Sequence, residues 1–481
     1  MRALCHLPAC AIAAVLLPGC MSLQPAYQRP ALPVPAEYPA APAGGATAAD
    51  IPWRDYFTDA RLRALIAQAL AHNRELRLAV LRMEEARALY QVQRADRFPG
   101  IDIDGQGMRS RVPADLSATG AALTGGQYQL AVGLNTWELD FWGRVRSLQD
   151  AALQTYLATD AARRAATISL IAQVADGYLA LQALDERLLL ARRTIATRAQ
   201  SLQIFRRRAE AGSISRLDLT QVEVLWQQAR SLAAQLEQER AAQEQALQLL
   251  AGSPLPIDTS AAQTLDDAAL MRELAPGLPA DLLANRPDIA AAEHRLQAAN
   301  ANIGAARAAF FPRIALTGAY GTASAELDGL FDGGSRAWRF APSVALPLFD
   351  GGRNRASLDL AQVRRGQAVA SYEQAIQQAF REVADALAAR RWLGEQVRLL
   401  RATVALQDER ARLARLRYDH GAVPFLEVLD AERELLDARQ QLVQLRRALL
   451  GSRVHLYAAL GGSARQMPAA GPAPDSPTPE P

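Results

Sequence analysis

Apolar and polar residues alternate strictly in two pairs of short segments. Ile101 and Ile103 alternate with Asp102, Asp104 and Gln106, and Tyr128, Leu130, Val132 and Leu134 oppose Gln127, Gln129, Gly133 and Asn135. Further along, Trp338, Phe340, Val344, Leu346 and Leu348 oppose Arg339, Ala341, Ser343 and Ala345. A period of two marks strands whose faces meet different surroundings. Segments of about ten such residues have the length of a tilted membrane strand. A soluble sandwich hairpin would show the same alternation. A polar, glycine-rich loop joins each pair, near residues 109–125 and 322–336.

Around these hairpins the period changes to that of helices. No proline intervenes from about Gly143 to Arg208, nor between Phe349 and Val423. Roughly 65 residues at a rise of 1.5 Å give rods of about 100 Å. Ile168, Ile171, Ala175, Tyr178, Leu181, Leu184, Leu188, Ala191 and Ile195 recur near every 3.4 residues on average. Val222, Leu225, Ala229, Leu232 and Leu236 step 3-4-3-4, as do Leu399, Ala402, Leu406, Leu413 and Leu416 with one gap at Glu409. Such spacing predicts left-handed coiled coils. Gly212 and Gly421 stand where descending helices end, as helix C-caps needing positive φ. Pro424 follows at a helix start that tolerates it.

The chain is also written twice. Arg208-Ala209-Glu210-Ala211-Gly212, with Leu217-Asp218 and Glu223, matches Arg417-Tyr418-Asp419-His420-Gly421, with Leu426-Glu427 and Glu432, at an offset of 421 − 212 = 209. Gly143, Val174-Ala175-Asp176 and Gly252 repeat as Gly352, Val383-Ala384-Asp385 and Gly461 at the same offset, whereas Phe98-Pro99 repeats as Phe311-Pro312 at 213. Each copy reads as a helix, two strands and a long helical hairpin. Two hairpins supply only four strands. A membrane sheet cannot leave an edge unpaired in lipid, and about eight strands are the least that close a barrel. If these strands span a membrane, several chains must share one barrel.

The first residues give a location. Arg2, the apolar run Ala11–Leu17 and the small residues before Cys20 describe a secretory signal, too short to cross a bilayer. Leu17-Pro18-Gly19-Cys20 resembles the bacterial lipobox, which implies cleavage before Cys20 and its acylation. Cys5 and Cys10 would leave with the signal, making a disulfide within one mature chain impossible. Met21 and Ser22, with no aspartate after the cysteine, imply by the same resemblance sorting to the outer membrane. The chain therefore divides into a signal (1–19), a lipid-anchored tether (20–52), a first repeat (53–252), a second repeat (253–461) and a Pro-rich, disordered tail (462–481).

Composition narrows the chemistry. The 481 residues carry 53 basic and 50 acidic side chains, a net charge of +3, too balanced for a nucleic-acid protein. Every basic residue is arginine, which excludes Schiff-base and P-loop chemistry. The five histidines, His6, His72, His294, His420 and His455, show no metal-ligand spacing. No nucleophile elbow, dinucleotide fingerprint or zinc-protease motif occurs. No cofactor, metal or catalytic residue is assigned, and the expectation is a protein that is not an enzyme.

The stretch Leu282-Leu283-Ala284-Asn285-Arg286-Pro287-Asp288-Ile289, continuing through Ala292-Glu293, Leu296, Ala299-Asn300, Ile303-Gly304 and Phe311-Pro312, resembles the outer-membrane factor (TolC-like) family of bacterial efflux systems, in its lipidated, NodT-type branch. Locally, Pro287 and Asp288 read as a helix start. The resemblance covers the chain from Cys20 to Gly461. It implies an α+β membrane protein that forms a homotrimer, with a twelve-strand outer-membrane β-barrel, four strands per chain, continued by a periplasmic α-helical coiled-coil barrel. It implies passive export of small molecules such as drugs or toxic compounds from an inner-membrane pump of the RND type, through a periplasmic adaptor. By the same resemblance Asp218, Tyr418, Glu427 and Asp430 fall at the periplasmic gate, and Gly212, Leu217, Gly421 and Leu426 at adaptor-docking tips. Helix-terminus complementation is the local alternative for the carboxylates. An outlet for type I protein secretion and a periplasmic coiled-coil lipoprotein that never spans the membrane are the alternative functions.

Overall fold

The computed structural model describes residues 22–38, 51–254, 271, 274 and 281–462. The signal, Cys20, residues 39–50 of the tether and the tail from 463 lie outside them. Short helices α1 (Trp53–Tyr56) and α2 (Ala60–His72) lead to α3 (Arg74–Ala95), then to strands β1 (Ile101–Val112) and β2 (Leu123–Glu138). The helices α4 (Arg144–Glu210) and α5 (Arg216–Ala251) form the first hairpin. The order repeats as α6 (Leu282–Asn285), α7 (Pro287–Ala308), β3 (Arg313–Ser324), β4 (Arg336–Ala345), α8 (Arg353–Asp419) and α9 (Phe425–Ala459). Helices α4 and α8 each run 67 residues, matching the proline-free stretches. Gly143 and Gly352, Gly212 and Gly421, and Gly252 and Gly461 all have positive φ. The 209-residue offset therefore holds for backbone conformation as well as for sequence.

Two compact units emerge from this order. The first comprises residues up to 30, 83–159 and 292–372, and the second 31–82, 160–291 and 373 onward. The first holds one antiparallel sheet in the order β1-β2-β3-β4. Its register sets Ile103 beside Val132, Val132 beside Tyr320, and Tyr320 beside Trp338. That row is apolar and faces out, with all four of its residues half-exposed or more. On the other face Ala131 and Ala315 are buried and Asn135 donates to Asp102. The strands exceed expectation at their loop ends, leaving connections of 113–122 and 325–335. Leu346 and Leu348 lie beyond β4, which ends at Ala345. Pro347, between them, has no N–H to extend the ladder.

In the same unit the chain from residue 22 is fastened along α7. Asn300 donates to the Pro25 carbonyl at 2.7 Å, and Glu293 accepts from Tyr27 at 3.0 Å and from Arg29 twice at 2.8 Å. Gly304 permits this approach, because a Cβ there would lie 2.9 Å from the Gln24 Cα. Burial, with Glu293 beside it, pushes the Tyr27 phenol up to about 12, so it remains a donor. His294 of α7 is half-buried and bonds Gln154 at 2.7 Å.

The second unit has its aromatic core in Tyr56, Phe57 and Tyr457, with Tyr56 and Tyr457 stacked at 4.3 Å. Here the two coiled-coil stripes part company. Val222, Ala229 and Leu236 are buried, Leu236 against Leu188 and Ala191. Leu399, Leu406, Leu413 and Leu416 of α8 are exposed, Leu406 at 72%. With Trp392, also exposed, residues 392, 399, 406 and 413 form an open stripe of seven-residue steps.

Candidate functional site

The two hairpin tips pack on one another in the second unit. Leu202, Phe205, Leu219 and Val222 of the first meet Ala414, Phe425, Val428 and Leu429 of the second in one buried cluster, with the Phe205 and Phe425 rings 4.5 Å apart. Around this cluster lie the residues expected at a gate. Asp218, Arg208 and Ser215 of the first tip correspond to Glu427, Arg417 and Pro424 of the second at the 209 offset. Their partners differ for a local reason. Ser215 caps α5 and captures Asp218 in a reciprocal capping box, as S/T-x-x-D/E sequences do. With Asp218 engaged, Arg208 donates to the Tyr418 hydroxyl at 2.7 Å, linking one hairpin to the other. Pro424 has no side chain that can cap. Glu427 is therefore free to pair with Arg417 at 3.0 Å.

Asp430 sits one turn further along α9 and bridges Arg410 of α8, at 3.1 Å, and Arg433 of its own helix. These pairs are exposed at both partners, so each adds little to stability. Deeper in, burial holds the Arg198 guanidinium below its ordinary range and raises the carboxyl of Glu432, the latter against the pull of Arg198 and Arg415. Sequence reading did not single out Arg198, whose guanidinium donates to the Leu225 carbonyl at 2.6 Å, because nothing but its place on the α4 apolar stripe marks it. Gly212, Leu217, Gly421 and Leu426 all lie exposed at the turns, Leu217 at 66% and Leu426 at 53%. Two leucines so exposed, 426 − 217 = 209 residues apart, repeat the same open position twice.

Arg286, the residue before a helix start in the sequence, is held by four hydrogen bonds to two carboxylates and a backbone carbonyl. It is 9% exposed. It donates to Asp288 at 2.9 and 2.5 Å, to Glu382 of α8 at 2.6 Å and to the Ala459 carbonyl of α9 at 3.1 Å. Burial opposes its charge, but Asp288 and Glu382 outweigh that and push its pKa up. The first repeat does the same with a neutral group. Asn73 donates to the Leu250 carbonyl at 2.9 Å and accepts from the Leu76 amide at 2.8 Å. Leu250 and Ala459 are again 209 apart. Each bracket thus ties the end of a returning helix to the start of α3 or α7.

The model of the outer membrane efflux protein family matches residues 65–253 and 278–462. The chain belongs to the outer membrane efflux protein family. Each of the two matched segments covers one of the repeats. Among members of this family, outer membrane protein OprJ of Pseudomonas aeruginosa is 45% identical over 95% of this chain and 96% of its own. Toluene efflux pump outer membrane protein TtgI of Pseudomonas putida is 46% identical over 94% and 97%. A membrane protein from Pseudomonas aeruginosa superposes with a TM-score of 0.87 at 44% identity, covering 92% of this chain and 97% of that one. The open state of the MtrE outer membrane channel of Neisseria gonorrhoeae gives 0.85 at 39%, covering 92% and 98%. The fold is that of outer-membrane efflux channels, and this efflux protein resides in the outer membrane.

Proposed function

We propose that the mature chain starts at an acylated Cys20 and assembles as a homotrimer in which three four-stranded sheets close one twelve-stranded barrel. In this reading small molecules such as drugs or toxic compounds pass out through it, delivered by an inner-membrane pump of the RND type through a periplasmic adaptor, and the chain performs no chemistry on them. The observation that carries the reading is the sheet itself: an apolar outward face bounded by two open edges, β1 and β4. Such edges are not tolerated in lipid, and further copies of the same sheet satisfy them. The open leucine stripe on α8 supports the same assembly, since seven-residue apolar steps seek a partner helix. The chain divides functionally as signal, tether, two repeats and tail, with Leu217 and Leu426 beside Gly212 and Gly421 presented to the adaptor.

The gate in this reading is the set Asp218, Tyr418, Glu427 and Asp430. Glu427 and Asp430 hold α8 against α9, and Tyr418 holds the second hairpin to the first. In planar bilayers the double variant Glu427→Gln/Asp430→Asn is expected to raise single-channel conductance several-fold. Unchanged conductance would remove these residues from the gate. A Cys20→Ser variant is expected to incorporate no labelled palmitate, and retained label would refute the anchor.

A further inference from the structure

The three-copy closure proposed above has a consequence at the outer ends of the strands. Four antiparallel strands place β4 of one copy antiparallel to β1 of the next. The faces must also agree, and Ile101 and Ile103 show that odd residues of β1 point outward, as even residues of β4 do at Trp338, Phe340 and Val344. Partners across the seam therefore have numbers with an odd sum. Of these registers, one gives all ten residues of β4 a partner within the twelve of β1. It runs from Arg336 beside Arg111 to Ala345 beside Asp102. The same register sets the outward glycines Gly107 and Gly105 beside Phe340 and Pro342, leaving room for both rings.

This seam collects charge. Arg109 and Arg111 of one copy and Arg336 of the next share the outward face, at the loop ends of the strands and just beyond the apolar row. None of the three makes an ion pair among the described residues, and all three are exposed. Like charges directly opposed across strands repel. A counter-anion removes that repulsion, and guanidinium forks fit phosphate oxygens in pairs. Glu326 and Asp328 of the β3–β4 loop line a groove of about 680 Å³ with Arg109, Thr124 and Tyr128. They offset part of the positive charge, so the site suits one phosphate group rather than a polyanion.

We propose that each seam between copies binds the phosphate of a phosphorylated glycolipid headgroup of the outer leaflet through Arg109 and Arg111 of one copy and Arg336 of the next. The described residues contain no cysteine, so paired cysteines report the register directly. Gly107→Cys with Phe340→Cys is expected to give disulfide-linked trimers on non-reducing gels, and Ile101→Cys with Phe340→Cys none. If neither pair links the copies and the protein sediments as a monomer, the closure reading fails with the site. Native mass spectrometry of the full chain with lipid A is then expected to show up to three bound lipids per trimer, and at least tenfold weaker binding of the dephosphorylated lipid. Arg111→Gln/Arg336→Gln is expected to remain trimeric while losing binding at least tenfold. A trimer in which this variant, or the dephosphorylated lipid, binds as well as before would overturn the site and leave the closure standing. Displacement of the lipid by equimolar inorganic phosphate would also overturn it, as a site for the free ion.

Discussion

Gly252→Ala and Gly461→Ala are expected to unfold the brackets at the helix ends, whereas Gly212→Ala and Gly421→Ala are expected to be tolerated. All four glycines have φ near +70 to +90°, with 70, 89, 69 and 73° in that order, and an alanine held there costs about 1–2 kcal/mol. At the tips nothing lies within 4 Å of an added Cβ, so that is the whole penalty. At Gly252 and Gly461 the Cβ would stand 2.2 and 2.3 Å from the carbonyl oxygens of His72 and Asn285. Those are backbone atoms that cannot rotate aside, so the chain segments must separate and the bracket hydrogen bonds from Asn73 and Arg286 go with them. The combined loss should be roughly 3–5 kcal/mol, above what most single substitutions cost. Thermal melting of the purified protein, followed by helical circular dichroism, separates the two pairs. Equal melting temperatures for Gly461→Ala and Gly421→Ala would refute the close approach.

The bracket itself was hidden from sequence reading, and the reason is arithmetic. Upstream of the strands the repeats correspond at 287 − 74 = 213, and downstream of them at 352 − 143 = 209. A contact between the two regions therefore joins residues that no single offset aligns, and its two versions, Asn73 and Arg286, share no chemistry beyond donating a hydrogen bond to a backbone carbonyl. The long helices were legible because proline-free length and glycine ends act locally. The strands were legible because alternation is local too, but their ends were not, since Arg109 and Arg111 continue the alternation into what reads as a polar loop. Leucines 399, 406 and 413 were legible as a stripe, although spacing alone does not say that the stripe stays exposed in the chain's own fold. The gate residues were placed by family resemblance, and their pairing depends on one substitution between repeats, Ser215 for Pro424. A serine can cap and hold Asp218, and a proline cannot hold Glu427.

Arg286→Ala is the second large effect expected, and it tests whether the bracket bears on the long helices as well as on α7. The guanidinium joins α9 through the Ala459 carbonyl, α8 through Glu382 and its own helix through Asp288. Its removal leaves a carbonyl acceptor without its donor in a buried setting, costing about 1–3 kcal/mol, and also frees two carboxylates close together. Glu382 and Asp288 are partly exposed, at 37 and 40%, so water recovers much of their charge. The total should be roughly 2–4 kcal/mol, below the full cost of orphaning a buried ion. Arg286→Lys keeps the charge but cannot reach three acceptors in one planar fork, and should recover less than half of the loss. Asn73→Ala removes the neutral version of the bracket and should cost about 1–2 kcal/mol, since it loses one donor and one helix cap. Urea unfolding monitored at the helical signal ranks the three variants. If Arg286→Ala proves no worse than Asn73→Ala, the pairing with Glu382 contributes nothing, and the bracket acts only by closing the end of α9.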